Sequence, residues 1–395
     1  MAMVLDGIRV VDLSTFQAAP FCCQLLADFG ADVIRIEPPG GAVDRELGPF
    51  APSGENMAVA MYGRNKRGVT LNLKTSKGKD IFWQLIKESD VLVTNMTPTA
   101  VKDLGLTYEI AREVNPRLIY ASVTTFGQYG PYFERPGFDT LAQAISGHMY
   151  ITGFPDTPPT KSGASFADFG SGLYGAIGIL LALHHRHTTG KGQQIDVAIL
   201  DACVSFMESV YAQYMVMNEI QPRLGNQRPF SSPTDSYRCK DGYVYVTITF
   251  DKMWKRFTRL IGREDLAKDP RFRNSELRRR NRDYMNSIAK GWLADKTRDE
   301  AVRALVEAGI PAAPVNTVTE AVADPQILAR EMIVNVDHPQ IGPVPLAGIV
   351  IKLPENPGTI RTAVPAAGQH NREVFIELLG YTETQLADLK KAGVV

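Results

Sequence analysis

The chain has 395 residues, of which 44% are hydrophobic, so it can bury a sizeable core and form two domains. Lysine plus arginine and aspartate plus glutamate each total 43, which gives a formal net charge of zero. This balance favours neither a nucleic-acid partner nor electrostatic binding to a membrane surface. The four cysteines form no CxxC pair, and the first residues lack the pattern of a signal peptide, so we expect a cytoplasmic protein.

Short β-branched runs alternate with helical segments in the first half of the chain. Strands are predicted at 8–13, 33–36, 69–73, 91–94 and 118–123, and helices at 20–29 and 77–88. Strands that alternate with helices indicate an α/β fold, in which helices cover both faces of a parallel sheet.

The second half begins with an apolar segment, Phe169 to His187, which we predict to be a helix buried on all sides. Residues 221–233 are rich in Pro, Asn, Gly and Ser and indicate a linker. Residues 237–249 alternate as a β-hairpin around a Lys-Asp-Gly turn. Charged helical segments follow at 252–308, and a last helix is predicted near 371–379.

Two motifs near the end of the apolar helix have simple structural interpretations. Thr189 to Gln193 contains a GxG but has no third glycine and follows a helix, which is typical of a helix-ending turn. His184 and His187 share a helix face, but no carboxylate joins them there. Their pattern favours positive charge at a helix C-terminus, and we expect no metal site.

Asp168 lies just before the apolar helix, in the small-residue run GASFADFGSG. An aspartate there is typical of a helix N-cap, because its carboxylate accepts unpaired backbone N–H groups. The small residues would also let a large substrate approach, and helix N–H groups could stabilise an oxyanion. The residues alone favour the cap over a nucleophile.

Two further polar positions remain open on the residues alone. The basic run Arg64 to Arg67 precedes a strand and is either a solvated loop or a phosphate-binding loop. Gln17 follows the first strand, at the sheet edge where α/β proteins bind ligands, and is equally consistent with a loop or capping role.

A series of motifs runs through nearly the whole chain: LDGIRVVDLSTFQAAP, LLADFGADVIRIEPPGG, NKRGVTLNLKT, DVLVTNMTP, FGQYGP, TGFPDTPPTKSGASFADFGSG, ALHHRHTTGKGQQIDVAILDA, AGIPAAPVNTVTE and GQHNREVFIELLGY. By their number and order the chain resembles the class III CoA-transferases, the family of formyl-CoA transferase and carnitine CoA-transferase. The resemblance implies a transfer of CoA from an acyl-CoA to a carboxylic acid, with no permanently bound cofactor.

The resemblance also implies roles for particular residues. Asp168 matches the nucleophile, which forms an acyl anhydride and then an aspartyl-CoA thioester. The matched CoA- and substrate-binding positions are Gln17, Ala18, Leu71, Asn72, Leu73, Lys74, Asn95, Met96, Phe138 and Asp139. Pro38 and Asp103 stand where formyl-CoA transferase has arginines, so we expect Lys102, Arg64 or Lys66 to meet the CoA phosphates instead.

The family fold implies a large Rossmann-like α/β domain, here 1–220 plus 325–395, and a smaller α+β domain at 221–324. Two such chains are expected to interlock as a homodimer; a hetero-oligomer with a related CoA-binding subunit is the alternative. The α-methylacyl-CoA racemases share this fold, but they use a histidine where this chain has Phe138, which cannot transfer a proton. Residues 228–233 replace the glycine-rich loop of the oxalate-handling members, which argues against a dedicated formyl/oxalate enzyme.

Overall fold

The computed structural model describes residues 2–395, which form two compact units. The first contains the chain up to Ser146, together with Ser162–Glu208 and Pro325–Val395; the second contains Gly147–Lys161 and Ser209–Asp324. Residues 147–161 and 209–220 therefore group with the second unit, whereas the predicted boundary at 221 put them in the large domain. A run of Pro, Gly and Ser shows where the chain is irregular, but packing decides which unit a segment joins.

The strands, in chain order, are β1 (Arg9–Leu13), β2 (Asp32–Glu37), β3 (Lys66–Thr70), β4 (Val91–Thr94), β5 (Ile119–Thr124), β6 (Gln194–Ala198), β7 (Thr234–Cys239), β8 (Gly242–Thr247), β9 (Ala312–Pro314), β10 (Ile333–His338) and β11 (Gly342–Ala347). The third strand ends at Thr70, earlier than predicted. The Leu71 N–H still donates to the Glu37 carbonyl oxygen of β2. The Asn72 N–H donates instead to the Val394 carbonyl oxygen, so the chain leaves the sheet at Asn72.

The helices, in chain order, are α1 (Ala18–Asp28), α2 (Met57–Tyr62), α3 (Ser76–Lys87), α4 (Pro98–Leu104), α5 (Tyr108–Val114), α6 (Asp139–Ile145), α7 (His148–Ile151), α8 (Phe166–Thr189), α9 (Ile199–Phe206), α10 (Glu208–Met217), α11 (Asp251–Leu260), α12 (Asp265–Lys268), α13 (Ser275–Arg280), α14 (Arg282–Leu293), α15 (Arg298–Glu307), α16 (Val318–Val322), α17 (Pro325–Ala329) and α18 (Glu383–Lys391). Short 3-10 turns occur at Val43–Glu46 and Pro270–Phe272. The predicted last helix is a π-helical turn, Glu373–Leu378, and α18 follows it.

The first unit is built on a six-stranded parallel sheet with the order β3-β2-β1-β4-β5-β6, typical of Rossmann-like folds. Val10 of β1 lies opposite Val33 of β2 on one side and Val91 of β4 on the other. The chain therefore builds outward in opposite directions from β1 and β4. The loops after these two strands diverge and leave a crevice at their carboxyl ends, where open α/β sheets bind ligands.

Alternate side chains of the sheet are buried on opposite faces, as the strand periodicity requires. Val10, Val33 and Val93 belong to a core that includes α1 and α8. Val11 and Ile34 belong to a second core that includes α3, α5 and α18. Helices cover both faces, which confirms the predicted α/β fold.

Helix α8 is longer than predicted and is buried on one side only. Its small residues face the core: a Cβ on Gly172 would lie 2.6 Å from the Ala18 carbonyl oxygen. On the opposite side Ile177 and Leu181 are 51% and 65% exposed. By length and composition alone α8 would be long enough to cross a membrane, a test that the core helices of globular proteins also pass. The prediction of a helix buried all round was therefore wrong.

The second unit contains the predicted hairpin. β7 and β8 pair antiparallel, with Cys239 opposite Gly242 across the Lys240–Asp241 turn, and β9 adds a third strand. Aromatic side chains from the following helical region, Trp254, Phe257 and Phe272, are fully buried in its core.

Candidate active site

The loops after β1 and β4 are tied together at the crevice. The Thr15 N–H donates to Asn95 Oδ1 at 3.1 Å, and Asn95 Nδ2 donates to the Thr15 carbonyl oxygen at 2.7 Å. The amide side chain thus satisfies both backbone groups of Thr15, which fixes the chain just ahead of Gln17.

Two cavities adjoin at this crevice. The first, which we call the Asp168 cavity, has a volume of about 220 Å³ and is lined by Thr15, Phe16, Gln17, Ala18, Asn95, Thr97, Val123, Thr124, Thr125, Phe126, Phe133, Arg135, Pro136, Gly137, Phe138, Asp168 and Ile199. The second, the Leu71 cavity, has a volume of about 210 Å³ and is lined by Leu13, Ser14, Thr15, Ile36, Glu37, Pro38, Ala42, Leu71, Asn72, Leu73, Lys74, Asn95 and Met96. Thr15 and Asn95 line both, so the two cavities are neighbours at this crevice.

The fold brings most of the predicted site residues to these two cavities, from loops that are far apart in sequence. Leu71 to Lys74 lie in the loop after β3, and not on a strand as predicted. Four predicted residues line neither cavity. Lys102 is exposed on α4, and Asp139 is buried at the start of α6; Arg64 and Lys66 are buried near the start of β3.

Asp168 lies in the first turn of α8, with its side chain on the Asp168 cavity. Burial and, secondarily, the negative charge of Asp139 raise the pKa of Asp168 from 3.8 to about 7. Both causes disfavour the carboxylate form, because burial reduces its contact with water and Asp139 repels a second negative charge.

The cap of α8 comes from a distant residue. Asp139 Oδ2 accepts from the backbone N–H groups of Ala167, at 2.8 Å, and Asp168, at 3.2 Å, while its Oδ1 accepts from the Gln143 side chain. The cap role that local sequence favoured for Asp168 therefore belongs to Asp139. The side chain of Asp168 is left to face the cavity.

The same contacts change the expected source of oxyanion stabilisation. The N–H groups of Ala167 and Asp168 already donate to Asp139, and the Phe169 N–H donates to the Ser165 carbonyl oxygen. The first turn of α8 therefore has no free N–H for a substrate at these positions, contrary to the prediction. The Gln17 amide lines the cavity and has no side-chain hydrogen bond within residues 2–395, so its N–H groups are available to donate to a ligand.

Phe16, which the sequence analysis did not single out, adopts a left-handed backbone conformation with φ of 65°. A bulky residue rarely adopts this conformation without support. Its N–H donates to Asp44 Oδ2 at 3.0 Å, and both oxygens of Asp44 accept from Arg35 Nη2, at 2.7 and 2.8 Å, in a buried ion pair. The ring of Phe16 packs edge-on against Phe138, with centroids 5.5 Å apart. This support places the Phe16 ring in the wall of the Asp168 cavity, next to Phe138, the position where the racemases carry histidine.

The basic run Arg64 to Arg67, which extends into the start of β3, is neither a solvated loop nor a phosphate-binding loop. Lys66 is fully buried and its Nζ lies 2.7 Å from Asp12, while Arg64 is buried against Asp28 at 2.6 Å. The expectation that Arg64 or Lys66 meets the CoA phosphates is therefore wrong. Each cation is neutralised by an aspartate from β1 or α1, which no local pattern reveals.

The remaining motifs lie away from the crevice. Gly190 ends α8 in the left-handed conformation, with φ of 73°, which confirms the predicted helix-ending turn. Within residues 2–395 no group of three His, Cys, Asp or Glu side chains is arranged to hold a metal ion.

The fold and the site together define a Rossmann-like α/β protein with a partly buried carboxylate, Asp168, at the crevice beyond the carboxyl ends of its strands. Residues 5–371 match the family model described as CoA-transferase family III, and the chain belongs to this family of CoA-transferases. It is 37% identical to the succinyl-CoA–D-citramalate CoA-transferase of Chloroflexus aurantiacus, over 99% of this chain and 98% of that protein. It is also 37% identical to the succinyl-CoA–L-malate CoA-transferase beta subunit of the same organism, over 99% and 98% of the two chains.

A solved structure shows the same fold. The CAIB/BAIF family protein from Brucella suis matches with a TM-score of 0.85 and 34% identity, over 96% of this chain and 100% of that one. The matches span nearly the full length of each chain, so the family assignment covers both compact units.

Proposed function

We propose that this protein transfers CoA from an acyl-CoA donor to a carboxylic acid acceptor through a covalent intermediate on Asp168. The observation that carries the proposal is that the Asp168 carboxylate lies on the cavity without a cationic partner in the described part of the chain. It is the sole carboxylate of the Asp168 cavity and has no ion-pair partner within residues 2–395. A carboxylate nucleophile suits this reaction, because each step exchanges one activated acyl bond for another.

The proposed reaction has two matched halves. An Asp168 oxygen attacks the thioester carbon of the donor, giving a mixed anhydride and CoA thiolate. The thiolate attacks the Asp168 carbonyl carbon, giving an aspartyl-CoA thioester and releasing the donor acid. The acceptor carboxylate then attacks this thioester, and the returning thiolate takes the acceptor acyl group, which regenerates the Asp168 carboxylate. No oxidant, reductant or metal is consumed.

In this proposal the two cavities bind different parts of the acyl-CoA. The acyl group lies in the Asp168 cavity, where the Gln17 amide donates to the developing oxyanion. The CoA portion extends past Thr15 and Asn95 into the Leu71 cavity. Arg64 and Lys66 are buried, so Lys74 on the cavity wall and Lys102 on α4 remain as cations for the phosphates. The apolar walls limit water, which would hydrolyse both intermediates.

The covalent step has a direct test. The protein is incubated with succinyl-CoA, quenched with hydroxylamine and digested, and the peptides are analysed by mass spectrometry. We expect a hydroxamate on Asp168 in the native protein and none in the Asp168→Asn variant. Modification of another residue, or full transferase activity in Asp168→Asn, would disprove the proposal.

We also propose that the active form is a homodimer. The exposed apolar face of α8 adjoins a groove of about 340 Å³ in the first unit, lined by Val4, Leu5, Leu25, Leu26, Phe29, Leu173, Ala176, Ile177, Leu180, Ile351 and Leu353. Apolar surface of this extent favours association with another chain. Light scattering on the purified protein should give twice the chain mass, whereas a monomer that retains full activity would contradict this proposal.

A hetero-oligomer with a related subunit is the alternative assembly. Full transferase activity of the protein purified alone would exclude it. The four cysteines are buried and unpaired, which supports our proposal of a reducing, cytoplasmic location.

A further inference from the structure

Phe16 has a strained backbone conformation at the crevice. Its φ of 65° is one of four positive φ values among the non-glycine residues of the described chain, and the others belong to Asn65, Asn218 and Glu331. Asparagine tolerates this region, whereas a bulky side chain adopts it only under constraint. Strain of this kind persists where the surrounding structure enforces it, and it is concentrated at functional sites. The contacts that enforce the Phe16 conformation are therefore candidates for a role in catalysis.

Two side chains from other loops enforce this conformation. Asn95, after β4, donates to the Thr15 carbonyl oxygen at 2.7 Å. Asp44, in the 3-10 turn Val43–Glu46 after β2, accepts from the Phe16 N–H at 3.0 Å. The Thr15 carbonyl and the Phe16 N–H belong to one peptide group, so the orientation of this group is fixed from both sides.

Asp44 is held in place by a buried network of charges. Both of its carboxylate oxygens accept from Arg35 Nη2, at 2.7 and 2.8 Å, and Arg35 Nε lies 3.3 Å from Glu37. The side chains of Arg35, Asp44 and Glu37 are 1%, 5% and 0% exposed. A buried ion pair adds little net stability, because desolvation offsets the attraction between the charges. The bond from this network to the Phe16 N–H therefore favours a role in placing the turn over a role in stability alone.

Gln17 is the residue that these contacts place. Its carbonyl oxygen accepts from the Phe21 N–H at 2.9 Å, at the start of α1, so its backbone is bonded on the other side as well. Its side-chain amide lines the Asp168 cavity and, within residues 2–395, has no hydrogen bond. A donor that is aimed in advance stabilises an oxyanion more than one that must first reorganise. A fixed backbone and a free amide are the two properties that such a donor needs.

We propose that Asp44 is a positioning residue for CoA transfer: through the Phe16 N–H it holds the turn that aims the Gln17 amide at the oxyanion. This inference rests on the proposed function, in which Gln17 donates to the oxyanion that forms when Asp168 attacks the thioester. Asp44 lines neither the Asp168 cavity nor the Leu71 cavity, so it acts through Gln17 and not on the ligand. Its loss should therefore slow the acylation of Asp168 without weakening the binding of the CoA thioester.

The test is a double-mutant cycle on the rate constant for acylation of Asp168 by succinyl-CoA, measured in single turnovers with hydroxylamine trapping and mass spectrometry. Gln17→Ala should lower this rate constant at least about tenfold, as expected for the loss of an oxyanion donor. Asp44→Ala should lower it to a similar extent. Because Asp44 acts through Gln17, Asp44→Ala should cause no further loss in a protein that already carries Gln17→Ala. Asp44→Asn keeps one acceptor oxygen and should lose less, and it provides the same comparison if Asp44→Ala does not fold.

Binding is measured separately from acylation. Dissociation constants for succinyl-CoA, measured by calorimetry in an Asp168→Asn background that prevents turnover, should change less than twofold in both Asp44 variants. Asp28→Ala is the matched control, because Asp28 is also a buried aspartate paired with an arginine, Arg64, but it is the last residue of α1. Asp28→Ala should lower the melting temperature and leave the acylation rate constant of the folded protein unchanged.

The outcomes separate this inference from the proposed function. If Asp44→Ala slows acylation equally with and without the Gln17 side chain, or weakens succinyl-CoA binding as strongly, Asp44 acts on the fold in general and the inference is wrong. Unchanged acylation in both Asp44 variants would overturn it as well. If Gln17→Ala has no effect while Asp168 is still labelled, the covalent step stands, but Gln17 is not the oxyanion donor and the inference falls. If Asp168 is never labelled in the native protein, the proposed function itself fails.

Discussion

The start of β3 and the Asp168 cavity both carry charged side chains of the first unit, but with opposite pairing. Arg64 and Lys66 are buried, whereas Asp168 is half-buried and Arg135 is exposed. Before and within β3, Lys66 and Arg64 each meet an aspartate at hydrogen-bond distance. At the cavity, Asp168 has no cation and Arg135 has no anion within residues 2–395. A buried charge that is fully paired contributes to a defined fold, whereas one left unpaired costs stability and is available to a ligand.

This difference teaches which charged residues to associate with function. The basic run at Arg64 to Arg67 stands out in the sequence, yet its charges are neutralised within the fold. Asp168 does not stand out by charge in the sequence, yet within residues 2–395 its half-buried carboxylate has no cationic partner. Charge density along the chain is therefore a weaker guide to a ligand site than the absence of a partner in the folded protein.

The largest effect is expected from replacing the unpaired carboxylate. Asp168→Asn should lower kcat by at least about 10⁴-fold, because the amide cannot form the anhydride. CoA transfer between succinyl-CoA and L-malate, followed by mass spectrometry, measures it. Asp103→Asn, which removes an exposed carboxylate on α4, should retain activity. A loss of less than tenfold in Asp168→Asn would mean that another group is the nucleophile.

The next largest effect is expected at the buried ion pair of Lys66 and Asp12. Lys66→Met should lower the free energy of unfolding by about 3–5 kcal/mol, because it leaves Asp12 buried without its cation. Replacing both partners, with Lys66→Met and Asp12→Leu, should cost less than the single change. The exposed pair of Arg263 and Asp265 is the control, where Arg263→Met should cost much less, because solvent screens the pair. Urea unfolding measures all three, and equal losses in the buried and exposed pairs would contradict the comparison.

A third prediction concerns pH. The pKa of Asp168 is raised from 3.8 to about 7 in the folded protein, which therefore binds this proton more tightly than the unfolded chain does. The stability that this protonated carboxyl contributes is fully present below pH 3.8, and it is lost as the pH rises through about 7. The amide of Asp168→Asn does not ionise, so this variant does not lose stability in this way. Its melting temperature at pH 8 should therefore lie several degrees above that of the native protein. Calorimetric scans from pH 5 to 8 test this, and parallel curves for the two proteins would refute it.

The smallest effect should come from Asp139. Asp139→Asn removes the negative charge near Asp168, while its amide oxygen can still accept from the α8 N–H groups. The pKa of Asp168 should fall by less than about one unit, because burial, the larger cause, remains. The midpoint of the rise of kcat/KM with pH should move down accordingly. An unchanged midpoint, or one shifted upward, would show that Asp139 does not act through its charge.

Several features of this protein follow from its sequence. The β-branched runs at β1, β2, β4 and β5 and the alternation with helices predict the α/β fold, because strand formation and burial on two faces depend on local pattern. Gly190 ends α8 because glycine adopts the left-handed conformation without strain. The ordered motifs also identify the family and direct attention to Asp168.

Only the tertiary structure decides which charges are used. Asp139 caps α8 from 28 residues away, and Asp12 neutralises Lys66 from 54 residues away. Arg135 stays unpaired because the fold brings no carboxylate to it within residues 2–395. Pairing depends on distances between segments that meet only after folding, and one residue's charge is compatible with any of these outcomes. The sequence thus identifies Asp168 as a candidate, and the fold determines that Asp139 caps α8 while the Asp168 side chain faces the cavity.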